Sequence, residues 1–457
     1  MISHRIIGLA AALALLGGCS TVSDTASDVG GFLWPFGGDD EADQGDAPDE
    51  EARMSILTLE ESLTVDPDKS DVQVYLPTSY RNDAWPMAGG YATHAIEHPQ
   101  AGGLSVAWST DVGQGSSRTS RVIAQPVVSG GMIYAMDGDN QVTALDAETG
   151  QKRWDTTIKS ENKRDKEAFG GGVAVGEGRV YVSSGYGAVV ALNAQTGNEV
   201  WRRDTTSPMQ SAPAIADGRV FAITDDNELY VLDSATGDLL WTYQSIAESA
   251  RLLTAPAPAI VDDIVVAPFA SGELVALRVE NGRPIWQDVL SRGSQLTPMS
   301  SLNDIPAPPV VSNGIVYAMS HSGVLVAINL QTGERVWSKP AGGSNMPWLA
   351  GDFIFAITGE GELLAMSRED GGIVWLTSLP VFENQKKRKD RISWAGPILA
   401  GNQLILASSV DGGRVVDPIS GRITSDFDTK GDVYVPPIVA NGTVYILNDE
   451  AELIAYR

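Results

Sequence analysis

The sequence predicts an all-β fold: an eight-bladed β-propeller with four-stranded blades, closed by an N-terminal strand that completes the C-terminal blade. Three observations predict it. Pro126, Pro213, Pro258, Pro309, Pro347, Pro397 and Pro437 each stand twenty residues before the residue closing a short apolar strand, namely Asp146, Asp233, Arg278, Asn329, Ser367, Asp417 and Arg457; Gly172 takes the proline's place ahead of Asn193. Six units then carry glycine and tryptophan four residues apart: Gly150/Trp154, Gly197/Trp201, Gly237/Trp241, Gly282/Trp286, Gly333/Trp337 and Gly371/Trp375. The last unit stops at Arg457 without a fourth strand, and LSVAWST at Leu104 to Thr110 has the missing tryptophan pattern. Four-stranded units of about 44 residues (355/8 over residues 103–457) cannot bury both sheet faces alone, so they pack around an axis.

In chain order, the first element is an apolar run from Ile6 to Leu16 behind Arg5, ending in LGGC at Leu16 to Cys19. The run is too short to cross a bilayer core of about 30 Å and suits a secretory signal segment, residues 1–18. Residues 19–51 hold ten acidic and no basic side chains, eight of the acids between Asp39 and Glu51, and read as a disordered acidic tether. Residues 52–102 form an extension ahead of the propeller, which occupies 103–457.

Within each unit a turn pair follows the proline by four to five residues, as at Gly130-Gly131, Asp217-Gly218, Asn313-Gly314 and Asn441-Gly442, residues that accept the positive φ of a tight hairpin. An alternating strand comes next, then a second turn and strands such as VTALD, VVALN and LVAIN. Proline at the start of each first strand fits an innermost edge strand, which can spare a backbone donor. Tryptophan at six equivalent outer-strand positions is expected to wedge between blades as core. The seventh unit departs, with Gly421 followed by Phe427.

Composition excludes several functions. A net charge of 32 − 58 = −26 argues against a nucleic-acid partner. A single cysteine permits no intramolecular disulfide and no thiolate zinc cluster. His94 and His98 are four apart but lack a helical pattern or a third ligand, so no metal site is expected, and no catalytic or cofactor group is identified. The basic run KKRKDR, Lys386 to Arg391, reads as a solvated loop.

The LGGC string resembles a bacterial lipobox. That resemblance implies lipidation at Cys19, and Ser20 in the following position implies the outer membrane, facing the periplasm. The blade pattern, fullest in VTALDAETGQKRW and VVALNAQTGNEVW, resembles the repeat of pyrroloquinoline-quinone-type propellers, which serves both quinone-dependent alcohol dehydrogenases and the assembly lipoproteins of the β-barrel assembly machinery. The dehydrogenase resemblance would imply a vicinal disulfide, which one cysteine cannot supply. The lipoprotein resemblance agrees with the lipobox, the tether and the short blades; RMSIL at Arg53 to Leu57 and AWPMAGG at Ala84 to Gly90 are similar to members with an extension before the propeller. It implies a non-enzymatic scaffold of the barrel-assembly complex. Its partners would be the POTRA domains of the barrel-forming subunit, nascent outer-membrane β-barrels, and the membrane through a lipid anchor. Carried residue by residue, the partner-binding positions are Arg251 in SARLLTAPAP and Asp304 in SLNDIPAPPV, with Leu252, Leu253 and Leu302 as apolar neighbours; a second acid expected two places beyond Asp304 falls on Pro306.

Constant spacing inside the units places all length variation between each outer-strand tryptophan and the next proline, and so on one face of the disc. Trp286 to Pro309 is among the longest of these connections, and long loops on a rigid scaffold are where binding usually resides.

Overall fold

The computed structural model describes residues 63–160, 169–248, 252, 254–291, 303–410 and 412–457. The chain divides into two units, Met1–Glu61 and Ser62–Arg457. The expected signal segment, Cys19, the expected acidic tether, and the expected partner-binding positions Arg251, Leu253 and Leu302 lie outside the described residues.

The second unit is a ring of eight four-stranded antiparallel sheets. Blades 1 to 7 span residues 127–157, 171–204, 214–244, 259–289, 310–339, 348–378 and 394–427; blade 8 joins 438–456 to the strand Val106–Asp111. That N-terminal strand pairs with Glu452–Tyr456, as the unpaired end of the last unit requires. Among the described residues a 3-10 turn at Pro67–Lys69 is the only helical element.

Burial follows position in the blade. Middle strands such as Arg179–Ser184 and Ala188–Asn193 are buried along nearly their whole length, because both faces of each sheet pack against neighbouring blades. Outer strands such as Lys152–Thr157 and Leu239–Gln244 alternate half-buried with exposed positions. The buried side chains form clusters that each bridge adjacent blades: Tyr134 with Val182 between blades 1 and 2, and Val266 with Val326 between blades 4 and 5.

The repeat motif has a physical cause at each position. At the end of the third strand of five blades an Asp or Asn turns the chain: Asp146 Oδ1 accepts the Thr149 N–H at 3.0 Å, and Asn193 and Asp233 do the same for Thr196 and Thr236 at 3.0 and 2.9 Å. The glycine that follows adopts positive φ, +73° at Gly197, and a Cβ there would lie 2.6 Å from Trp154 of the preceding blade. Glycine is therefore required for both the turn and the seam. The indole N–H then crosses the seam: Trp154 Nε1 donates to Ala194 O at 3.0 Å, Trp201 to Ser234 O at 3.0 Å, and Trp375 to Pro418 O at 3.0 Å. These tryptophans are inter-blade core, as six equivalent positions predict. Gly150 packs against Trp108 in the same manner, which is the closing seam between blades 8 and 1. At the seam between blades 7 and 8, where the tryptophan is missing, Phe427 meets Tyr456 edge-on at 5.8 Å.

Two details differ from the sequence reading. Pro397 lies inside its strand, Trp394–Ala400, where the register shifts by one residue between Ala395 and Ile398 and the bulge removes the need for a proline donor. The inner edge is also not left bare. Residues 82–102 line it and supply its acceptors: Val128 N–H donates to Trp85 O at 2.8 Å, Val175 to Pro86 O at 2.7 Å, Ile260 to Ala92 O at 2.7 Å and Val311 to Thr93 O at 2.8 Å. Gly351, Gly401 and Asn441 donate to Glu97 Oε2, Pro99 O and Asn82 O at 2.8, 3.0 and 2.7 Å. The extension thus bonds to the inner ends of every blade except the third, which Met87 reaches through apolar packing with Ala214 and Phe221.

Candidate functional site

The connections that enter the inner strands converge on one end of the axis. The connection from blade 3 to blade 4 is pinned at its start by Glu273, a buried carboxylate that accepts from the Ser245 hydroxyl, the Ile246 N–H at 3.1 Å and the Ser271 hydroxyl at 3.0 Å. Asn227, in the left-handed region at φ +63°, holds the same turn by donating to Ile246 O at 2.6 Å. The connection from blade 4 to blade 5 reaches back across: Asp304 is 1% exposed, and its Oδ2 accepts the Leu252 N–H at 2.8 Å.

Of the predicted partner-binding residues the structure therefore describes two, Leu252 and Asp304, and brings them together. Asp304 is not a surface charge. Its carboxylate ties one loop to the other, and its carbonyl accepts the His321 N–H at 2.9 Å. Burial and the charge of Arg391 both push the His321 imidazole below its ordinary pKa.

The basic run also has a defined shape. Phe382–Asn384 pairs with Lys389–Arg391 in a two-stranded hairpin, on which the Arg388 and Arg391 guanidinium groups sit 5.6 and 5.9 Å from the Phe382 ring centroid. Its residues are exposed from Glu383 to Arg391.

At the centre of this face lies an axial cavity of about 260 Å³. Trp85, Ala88 and Trp348 line it together with Thr254, Pro306 and Trp394. Residues 254 and 306 belong to the two connections that Asp304 ties together. Sequence reasoning missed this site, although a signal was present: Trp85, Trp348 and Trp394 fall outside the glycine-tryptophan register, so the repeat does not account for them.

The wall's chemistry can be tested against the cofactor of quinone-dependent propellers. No lining side chain carries a charge, so nothing there would neutralise a carboxylated quinone. Gln125 is committed to the Gly89 N–H and Pro436 O at 2.8 and 3.2 Å, and Asn345 to Trp394 O and the Gly396 N–H at 2.8 and 3.1 Å. The residues present do not fit that group. Among the described residues no set of three His, Asp, Glu or Cys side chains gathers to hold a metal ion.

His94 and His98 are spent on backbone groups in different places. His94 Nδ1 lies 2.7 Å from Pro309 O and so carries the proton; burial pushes its pKa down from 6.5 to about 4. His98 Nδ1 donates to Pro77 O at 2.7 Å and its Nε2 accepts the Asn402 N–H at 3.1 Å.

Comparison with known proteins agrees with this architecture. Residues 157–377 match the family model described as outer membrane protein assembly factor BamB, and residues 90–176 match the β-propeller domain model of glucose/ethanol/alcohol dehydrogenases. Outer membrane protein assembly factor BamB of Yersinia pestis is 26% identical over 352 residues, covering 74% of this chain and 87% of that protein. Its namesake in Legionella pneumophila is 27% identical over 350 residues, covering 77% and 87%. The crystal structure of BamB from Moraxella catarrhalis superposes with a TM-score of 0.67 at 19% identity, covering 78% of this chain and 99% of that one. Quinohemoprotein alcohol dehydrogenase from Comamonas testosteroni shares the fold at a TM-score of 0.62 and 14% identity, covering 82% and 81%. With the repeat, the ring and its closing strand as described, the chain is an eight-bladed β-propeller similar in sequence and in fold to outer membrane protein assembly factor BamB.

Proposed function

We propose that the chain is a non-enzymatic scaffold of outer-membrane β-barrel assembly. Lipidated at Cys19 and held at the outer membrane facing the periplasm, it docks on the POTRA domains of the barrel-forming subunit and assists the insertion of nascent β-barrels. The relatives that carry the name outer membrane protein assembly factor support the general role. The docking face is the one built by the connections 246–258 and 290–309.

The bond from Leu252 N–H to the buried Asp304 carboxylate carries this reading, since it joins residue 252 of one connection to residue 304 of the other. Asp304 acts as a positioning group, and Arg251, Leu252, Leu253 and Leu302 supply the contact, with the leucines at its apolar centre. A rigid base lowers the entropic cost of ordering such a surface on binding.

Arg251→Glu is the clean test, because reversal at Asp304 would also release the loop. Co-purification of the barrel-forming subunit from solubilised outer membrane should fall at least tenfold for Arg251→Glu, with the thermal midpoint unchanged. Undiminished co-purification would remove this face from the interface.

A further inference from the structure

The ring architecture uses seven tryptophans, Trp108, Trp154, Trp201, Trp241, Trp286, Trp337 and Trp375, each set against the glycine of the next blade. Trp85, Trp348 and Trp394 stand outside that pattern, come from three separate segments, and all line the axial cavity. Trp85 and Trp348 lie with ring centroids 6.3 Å apart and planes 20° from parallel, and Trp85 is fully buried. The Nε1 of Trp348 donates to Glu97 O at 2.8 Å and that of Trp394 to Pro380 O at 2.9 Å. The Nε1 of Trp85 is buried with no acceptor, and so is the hydroxyl of Thr254 on the same cavity wall with no partner. A buried donor without an acceptor is unfavourable in an isolated chain and becomes favourable when a ligand oxygen reaches it.

We propose that this cavity binds a neutral aromatic ring bearing a hydrogen-bonding oxygen, presented as a tyrosine side chain of an extended, unfolded polypeptide. Size selects a single ring. A cavity of about 150 Å³ takes up benzene, so about 260 Å³ holds a phenol with its first carbons and falls short of the room a fused, drug-sized ligand needs. Charge selects a neutral one, since the wall has no cation and the chain carries a net charge of −26. The aromatic walls favour offset or edge-on ring contacts over an aliphatic side chain. A phenolic hydroxyl can both accept from an N–H such as Trp85 Nε1 and donate to a hydroxyl oxygen such as Thr254 Oγ1, the two unpartnered groups of these lining residues.

The choice of an unfolded chain as carrier rests on the scaffold reading above. Outer-membrane barrels carry girdles of aromatic residues, which are exposed until the barrel closes. Thr254 and Pro306 on the cavity wall belong to the two connections that the Leu252–Asp304 bond joins, so a precursor held there would lie beside the proposed docking face.

Titration of the full-length protein with N-acetyl-tyrosinamide, N-acetyl-leucinamide, indole and an unstructured tyrosine-bearing peptide, followed by saturation-transfer NMR, tests this. Tyrosinamide should bind at least tenfold more tightly than leucinamide, and the peptide at least as tightly as tyrosinamide. Ala88→Leu, which raises the cavity floor from the extension side, should weaken tyrosinamide tenfold or more. Thr254→Val, which keeps the shape and removes the hydroxyl, should weaken it several-fold and serves if Ala88→Leu fails to fold. Equal binding of leucinamide, or binding unchanged in both variants, would overturn the site. Indole binding without peptide binding would overturn the polypeptide occupant. Ala88→Leu should still co-purify the barrel-forming subunit, so loss of tyrosine binding is separable from failure of the docking face.

Discussion

At the scale of single residues, burial decides behaviour that residue type alone leaves open. His94 is enclosed, with Nδ1–H bonded to Pro309 O and Nε2 facing no donor or acceptor, so a second proton would be buried unpaired. Its folded pKa of about 4 lies below the unfolded 6.5. The unfolded chain therefore binds more protons between those values, and stability is lost as pH falls through that window. The limiting loss is about 3 kcal/mol. Urea midpoints measured at pH 7 and pH 4.5 should differ less for His94→Asn than for the parent, by about 2 kcal/mol in stability; asparagine suits because φ here is +59°. Equal pH dependence in the two proteins would contradict the buried neutral imidazole. Glycines divide in the same way. Gly197→Ala meets both a left-handed backbone and Trp154 at 2.6 Å, and should cost about 2–4 kcal/mol. Gly130→Ala, at φ +58° with open space around it, should cost about 1 kcal/mol. Chemical denaturation of the pair would show whether the seam or the turn imposes the glycine.

At the scale of elements, the strands were legible in the sequence and the extension's path was not. Period-two alternation, turn pairs with positive φ, and the Asp/Asn turn before Gly are local signals, and local physics causes them. Residues 63–102 carry no period, because their partners are the inner-strand N–H groups of blades far apart in sequence. An irregular segment that satisfies edge donors leaves no pattern of its own, only an unexplained Trp85. The basic hairpin is similar: KKRKDR shows charge, while its pairing depends on Phe382 across the turn. Trp85→Ala should cost about 3–5 kcal/mol. It should also raise amide hydrogen exchange together at Val128, Val175 and Ile260, whose acceptors all lie in the extension. Unchanged protection at Val175 and Ile260 would mean that those bonds do not depend on the segment packing as one piece.

At the scale of the whole molecule, closure is the cooperative step. The strand Val106–Asp111 pairs with Glu452–Tyr456, Trp108 seals against Gly150, and Arg457 donates to the Ala147 and Glu148 carbonyls at 3.3 and 3.1 Å. Removing residues 104–111 from the full chain should bare the edge of Glu452–Tyr456 and the face of Gly150 together, lowering stability by several kcal/mol and promoting association through the open edge. Glu148→Ala, which removes only an ion pair whose carboxylate side chain is 80% exposed, should cost less than about 1 kcal/mol. Comparable losses from the two changes, measured by denaturation and light scattering, would refute closure by strand exchange.

By itself the sequence determined the blade number, the four strands per blade, the closing strand and the identity of the seam residues, because a local pattern recurs from unit to unit, its glycine-tryptophan pair six times, and the last unit lacks the strand that the N-terminal tryptophan segment supplies. Only the tertiary structure decided which side chains meet at the axis, since Trp85, Trp348, Trp394 and Thr254 lie up to hundreds of residues apart and share no period. It also decided that Asp304 is a buried tie between loops: solvent exclusion depends on what packs from other blades, a quantity that no neighbouring residue in the chain encodes.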